Sequence, residues 1–313
     1  MTGVPLVALV GPTGTGKSDL GVALAERLGG EVVNADSMQL YRGMDVGTAK
    51  PTPAERRGVP HHLLDVWPVT ERASVAEYQR LARAAVDEIR GHGRLPLLVG
   101  GSGLYVRAVL DELDFPGTDP ALRARLEAEL AAAGPASLHA RLSRVDPAAA
   151  RGILPSNGRR LVRALEVVEL TGRPFAATLP VAGPAENTVQ IGLDRSADLD
   201  RLVAERVHRM WRRGLVDEVR ALVGQRLRDG PTASRALGYR QVLDFLDGRY
   251  DEATARAETI RATRRFVRRQ RSWFRRDGRV RWLDAGAPDL LDAATALVVE
   301  QARACGDRRT LGR

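Results

Sequence analysis

Val4-Pro5-Leu6-Val7-Ala8-Leu9-Val10-Gly11-Pro12-Thr13-Gly14-Thr15-Gly16-Lys17-Ser18 is an apolar run that breaks into a glycine-rich turn. From Ser18 to Leu28 the apolar residues Leu20, Val22, Ala23 and Leu24 then recur at helical spacing. The order is strand, loop, helix, and residues 11–18 fit the phosphate-loop pattern G-x-x-x-x-G-K-[ST] in the setting that pattern requires. Gly11, Pro12, Thr13, Gly14, Thr15, Gly16, Lys17 and Ser18 are therefore the candidate diphosphate site. The glycines let backbone N–H groups turn inward around phosphate oxygens, and the helix N-terminus adds partial positive charge. Lys17 neutralises a terminal phosphate, and the Ser18 hydroxyl is a ligand for Mg²⁺. The loop grips any diphosphate ester with its metal, so it does not by itself name ATP as the donor.

Outward from this loop, Glu31 to Asn34, His62 to Val66 and Leu95 to Val99 are further short apolar runs, separated by helical stretches such as Val75 to Arg90. That alternation predicts an α/β fold, a parallel sheet with helices on both faces. After Leu113 the pattern is helical only, over Pro120 to Ala133, Ala136 to Val145, Pro147 to Gly152 and Asn157 to Gly172. Val189 to Leu193 and Val280 to Leu283 read as strands again. Helices are expected between them at Leu199 to Gly214, Val216 to Arg228, Ser234 to Leu246 and Tyr250 to Arg276. The expected organisation is a P-loop core opening at 1–114, an inserted all-helical subdomain at 115–187, core completion with a basic helical region at 188–286, and a C-terminal helix with a disordered tail at 287–313.

Of the 313 residues, 44 % are apolar, enough for a buried core, and the formal charge of +9 points to a polyanionic partner, nucleic acid first. Lys17 and Lys50 are the only lysines among 48 basic residues. Their survival in so arginine-rich a composition marks positions where a compact ammonium matters. Cys305 is the single cysteine, which excludes an internal disulfide. With no leader-like start and no long apolar run, a cytoplasmic protein without a membrane segment is expected, and a monomer. His61 and His62, adjacent in a predicted strand, point to opposite faces and fit no metal-ligand set, so a structural or substrate-shaping role is expected.

Three segments combine: the phosphate loop, the run Asp36-Ser37-Met38-Gln39-Leu40-Tyr41-Arg42-Gly43-Met44-Asp45-Val46-Gly47-Thr48-Ala49-Lys50-Pro51, and Gly100-Gly101-Ser102-Gly103-Leu104-Tyr105. Together they closely resemble the tRNA dimethylallyltransferases, also called tRNA isopentenyltransferases. The resemblance continues through His61-His62-Leu63, Arg159-Arg160-Leu161-Val162-Arg163-Ala164-Leu165-Glu166, Ala236-Leu237-Gly238-Tyr239-Arg240-Gln241 and residues 263–270, and so covers most of the chain from Val7 to about Phe274. It implies that dimethylallyl diphosphate alkylates N6 of adenosine 37 of tRNA, 3′ of the anticodon, with release of diphosphate and no consumption of ATP. It implies further that the phosphate loop holds the donor, that Asp36 is the general base, and that Asp36, Ser37, Met38 and Gln39, with Arg159, Arg160, Leu161, Val162 and Arg163, contact tRNA. The family usually has Thr where this chain has Ser102, and the hydroxyl is kept.

The chemistry read from the residues agrees. An exocyclic adenine amine is a poor nucleophile, so stabilising the departing diphosphate should dominate. Lys17, Mg²⁺ and Arg235 are expected to serve that end. Ser102 is placed to hydrogen-bond the oxygen that breaks from carbon and to contact the tRNA, and Asp36 at the end of the second strand to accept the amine proton. The plainer role for Asp36 is a turn cap through Ser37 and Met38. Since the reacting base cannot stay stacked, the adenine should be flipped out of the anticodon loop.

Between Arg261 and Arg281 lie ten arginines and one acid, Asp277. An arginine face for RNA is expected, with Arg264, Arg265, Arg268 and Arg269 contacting tRNA, Arg123 joining them, and Phe266 and Trp273 packed inward. Three other readings share some of these features. A small-molecule kinase would use the phosphate loop and an acidic residue near the second strand, much as a nucleotide hydrolase could use Asp65, and a prenyltransferase for free adenine nucleotides would need no arginine surface. An RNA-binding ATPase switch would need ATP.

Overall fold

The computed structural model describes residues 4–175, 187–195 and 198–310, with side chains described as far as 304. The chain forms two compact units, Met1–Glu112 with Pro184–Arg313, and Leu113–Gly183. The first unit is built on a sheet of β1 (Leu6–Val10), β2 (Gly30–Asn34), β3 (His61–His62), β4 (Leu95–Val99), β5 (Thr188–Asp194) and β6 (Val280–Asp284). Every pairing is parallel, in the order β3-β2-β4-β1-β5-β6.

Its helices are α1 (Lys17–Leu28), α2 (Pro53–Arg56), α3 (Val75–Gly91) and α4 (Gly103–Leu110), then α8 (Leu199–Arg212), α9 (Leu215–Gly224), α10 (Tyr239–Leu246), α11 (Glu252–Phe274) and α12 (Leu290–Thr310). Successive strand residues alternate between two cores. Leu6, Ala8, Val10, Val33 and Leu98 pack with Tyr78 and Val86 of α3, Val106 of α4, Val219 of α9 and Val242 of α10. Val7, Leu9, Val32, Leu97 and Ile191 pack with Leu20 and Leu24 of α1 and Ala294 and Val298 of α12. Burial on both faces explains why these strands read as unbroken apolar runs rather than alternating ones.

The second unit holds α5 (Pro120–Val145), α6 (Pro147–Gly152) and α7 (Gly158–Thr171) around Leu126, Leu138, Leu142, Ile153, Leu161 and Leu165. Helix α5 breaks at Gly134 (φ 75°, ψ 167°), just before Pro135, so its two halves match the two helices expected there. Glu166 on α7 is fully buried. It accepts hydrogen bonds from Arg123, from Arg163 and from the Asp119 backbone N–H. Burial alone would raise this carboxyl, but the bonds from Arg123 and Arg163 outweigh it and hold the pKa below the usual value.

Several local expectations change. The strand expected over His62 to Val66 is only His61–His62, because Leu63 (φ 62°) and Asp65 (φ 57°) take left-handed backbone. The helix expected over Ser234 to Leu246 is a 3-10 turn, Ala233–Arg235, and then α10, separated at Gly238 (φ 86°). The helix expected to reach Arg228 ends at Gly224. Helix α12 continues past Gly306 to Thr310, and the tail beyond it lies outside the described residues.

Neither Phe266, which is half-buried, nor Trp273 belongs to the fully buried face expected of them. The buried stripe of α11 is Ala255, Thr259, Ala262, Thr263, Val267, Gln270 and Phe274, while Trp273 is 38 % exposed. The arginines of 261–281 are also less bare than the sequence suggests. Arg271 and Arg275 bond Asp194, Arg279 bonds Asp277 and Asp111, Arg261 bonds Glu258, Arg281 bonds Glu300, and Arg264 lies against Asp200. Arg265, Arg268, Arg269 and Arg276 are exposed, with no acidic partner among the described residues.

Candidate active site

The phosphate loop follows β1 and opens α1, with Gly11, Gly14 and Gly16 all at positive φ. At Gly11 a β-carbon would sit 2.3 Å from the Leu193 carbonyl oxygen of β5, so only glycine lets the loop leave the sheet there. A cavity of about 680 Å³ lies over this loop at the carboxyl ends of the strands. Thr13 to Ser18, Asp36, Gln39, Lys50, Gly100, Gly101, Arg206, Arg209 and Arg213 line it.

Lys17 Nζ donates to the Pro12 carbonyl at 2.6 Å. Burial, and next the charge of Arg206, push its pKa down to about 7 against the opposing pull of Asp36. Arg206 donates to the Thr48 carbonyl at 2.9 Å. Desolvation, against the pull of Asp36, leaves its pKa below the ordinary arginine value.

Asp36 is placed by Asn34, the last residue of β2. The Asn34 Oδ1 accepts from the Asp36 backbone N–H at 2.9 Å, and Nδ2 donates to the carbonyls of Asp36 and Leu63 at 3.0 Å each. Asp36 Oδ1 accepts from the Met38 backbone N–H at 2.9 Å, so the residue caps the turn and lines the cavity at once. Opposite, Gly100 closes to the end of β2, where a β-carbon would meet the Ala35 carbonyl at 2.2 Å. Ser102 then reaches across: its Oγ accepts from the Ser37 backbone N–H at 3.1 Å and lies 3.2 Å from the Ser37 Oγ.

Lys50, the second of the two lysines, is buried and bonded to Asp45 (2.6 Å), Asp65 (2.5 Å) and the Tyr41 carbonyl (2.8 Å). This pairs Asp65, the acid a hydrolase reading would use, with a buried ammonium. His62 bonds Glu31 at 2.7 Å and His61 bonds the Val59 carbonyl at 2.9 Å, so both have structural partners.

The structure brings Lys17, Ser18 and Asp36 to one cavity, with Ser102 joined to Ser37 beside them. It does not bring Arg235 there. That side chain is exposed beside Arg228, Arg240 and Arg249 in a separate surface hollow. An arginine that does line the cavity is Arg206, whose spacing with Arg209 and with Arg213 at the end of α8 is i, i+3, i+7 but sits in a helix full of arginine. Gln39 lines the cavity but is nearly buried, its amide donating to the carbonyls of Thr48 and Ala49 at 3.3 Å. Leu161 and Val162 are core residues of the helical unit, not surface contacts. Arg123 and Arg163 are drawn to Glu166, and Arg159 is exposed.

A further residue went unread in the sequence. Glu218 of α9 accepts from the backbone N–H groups of Asp45 (3.1 Å), Val46 (2.6 Å) and Gly47 (3.1 Å) and from the Tyr239 hydroxyl (2.5 Å), fixing the loop that walls the cavity.

Residues 39–277 match the family model described as IPP transferase. The chain is 66 % identical over 306 residues, 96 % of each chain, to a tRNA dimethylallyltransferase of Thermobifida fusca. To one of Salinispora arenicola it is 68 % identical, covering 95 % of this chain and 87 % of that one. A crystal structure of the tRNA isopentenylpyrophosphate transferase of Bacillus halodurans is similar with a TM-score of 0.73 at 41 % identity, over 98 % of this chain and 99 % of that one. A eukaryotic dimethylallyltransferase crystallised acting on tRNA shares the fold, with a TM-score of 0.78 at 24 % identity over 99 % of this chain and 80 % of that one.

Proposed function

The chain belongs to the IPP transferase family and prenylates tRNA, and from that premise we propose that the cavity over the phosphate loop takes dimethylallyl diphosphate as donor and N6 of adenosine 37 as acceptor. The observation that carries this is the convergence of the phosphate loop, Lys17, Arg206 and Asp36 on one cavity.

The C–O bond of the allylic ester breaks with its electron pair leaving on the diphosphate, while the adenine amine supplies the pair for the new C–N bond. Loop N–H groups, Lys17 and Arg206 take up the charge gathering on the leaving group. As the new bond forms, the amine nitrogen becomes acidic, and the Asp36 carboxylate, oriented by the Met38 N–H, accepts its proton. Ser102, held against Ser37, presents its hydroxyl to the bridging oxygen.

Ser18 lines the same cavity, and no group of three His, Cys, Asp or Glu among the described residues could hold an ion. A Mg²⁺ there would be bound by the Ser18 hydroxyl together with oxygens of the donor. When bound it supplies further neutralisation of the departing diphosphate.

Arg265, Arg268 and Arg269, spaced to share one side of α11, and Arg276 just past its end, none with an acidic partner among the described residues, would steer and hold the RNA backbone through its phosphates. No helix among the described residues is long and apolar enough to cross a membrane. The enzyme acts as a monomer in this reading.

Incubation with labelled dimethylallyl diphosphate and Mg²⁺, in separate reactions with unmodified tRNA, AMP and ATP, tests the assignment. Label should enter tRNA alone. Label in AMP or ATP would move the activity to free nucleotides, and label in none of the three acceptors would overturn the donor assignment.

A further inference from the structure

Gln270 lies on the buried face of α11, 6 % exposed, and its amide joins two segments far from it in sequence. Oε1 accepts from the Thr13 backbone N–H at 2.9 Å, and Nε2 donates to the Gly101 carbonyl at 2.9 Å. Thr13 sits inside the phosphate loop, and Gly101 immediately precedes Ser102. The approach is close: a β-carbon at Gly101 would lie 2.4 Å from Nε2, so that site accepts only glycine while Gln270 stays in place.

From Gly101 the hydrogen bonds continue. Ser102 Oγ accepts from the Ser37 N–H, next to Asp36. A path of hydrogen bonds and adjacent residues thus runs from the loop that holds the leaving group, through one side chain, to Ser102 and the segment that carries Asp36. A carboxamide suits this place because it accepts and donates at once. A carboxylate would set oxygen against the Gly101 carbonyl, and a thioether would leave a buried N–H and C=O unmatched.

We propose that Gln270 is a positioning residue for group transfer, setting the separation between the phosphate loop and Ser102. Through it the helix that displays the arginine stripe also becomes part of the diphosphate site. Gln270 bonds backbone atoms of these segments and takes no part in bond making. The inference rests on the transferase reading of the cavity and adds to it a residue outside the loop.

Gln270→Met and Gln270→Glu, each alone and combined with Ser102→Ala, decide the matter. The readouts are kcat and donor KM at saturating tRNA, calorimetric affinity for inorganic diphosphate, tRNA affinity and melting temperature. Each single substitution should lower kcat roughly tenfold to a hundredfold, the scale of a misplacement near 1 Å, while tRNA affinity is kept. In the Ser102→Ala background the same substitution should cost far less, because both act on one geometry.

An undiminished loss in that background, an unchanged kcat, or equal losses in kcat and tRNA affinity that track a lower melting temperature would overturn the proposal. Failure of the wild-type protein to bind inorganic diphosphate would overturn the transferase reading of the cavity and the proposal with it. Binding by wild type and variants alike, with equal turnover, would overturn the Gln270 proposal alone.

Discussion

With its pKa near 7, the Lys17 ammonium changes charge when an anion arrives. A bound diphosphate favours the protonated form, so the pKa rises on binding. Between pH 7 and that higher value binding takes up a proton and weakens as pH rises; below pH 7 the group is already charged and the effect vanishes. Calorimetry of inorganic diphosphate at pH 8, in buffers of different ionisation enthalpy, should show wild type taking up about one proton more than Lys17→Ala. Equal uptake would mean that Lys17 does not meet the phosphate. Asp36→Asn keeps the turn bond from the Met38 N–H but removes the base, and should lower turnover by roughly 10²–10⁴ with tRNA affinity unchanged in a filter-binding assay. A wild-type rate would take Asp36 out of the chemistry.

Helix α11 separates its charges by partner. Arg271 and Arg275 are bound to Asp194, whereas Arg265, Arg268, Arg269 and Arg276 have no acidic partner among the described residues. Replacing the second set by Gln one at a time should reduce the slope of log tRNA affinity against log salt by roughly 0.7 to 0.9 each. Arg271→Gln should instead lower the melting temperature and leave the slope as it was, and the reverse pattern would exchange the two assignments. The sequence made the helix and its charge legible, because periodicity and composition are local. It could not show which arginines are occupied, since Asp194 and Asp111 reach α11 and the residues after it only through the sheet and α4. For the same reason the phosphate loop, Asp36 and Ser102 were readable as motifs while Arg206, Glu218 and Asn34 were not: each acts on backbone groups or space that the fold alone brings near. The inward placing of Phe266 and Trp273 failed because hydrophobicity was taken for burial. Ala262, Thr263 and Gln270 fill that face, and Trp273 lies over Gly103 where no side chain intervenes.

Each of the two units carries its own core, so damage can be confined to one. Glu166→Gln leaves Arg123 and Arg163 charged beside a group that no longer answers them, a loss of about 3–5 kcal/mol. Hydrogen exchange should report loosening within residues 113–175 while the sheet keeps its protection, and uniform loosening would deny the unit its independence. In wild type, acid should do the same by degrees. The carboxyl has its pKa depressed by folding, so its stabilisation is complete above the ordinary glutamate value and drains away as pH falls through the depressed one. The pairing order of the sheet also fixes a timetable. Strand β1 needs β4 on one side and β5 on the other, and the loop it carries is braced by Gln270. On the ribosome the helical unit can therefore close around local contacts while the first strand still waits for a neighbour about 180 residues downstream. The earliest-made segment of the active site is thus among the last to become competent, and a nascent chain stalled before residue 270 would expose a phosphate loop that lacks its bond from the Thr13 N–H to α11.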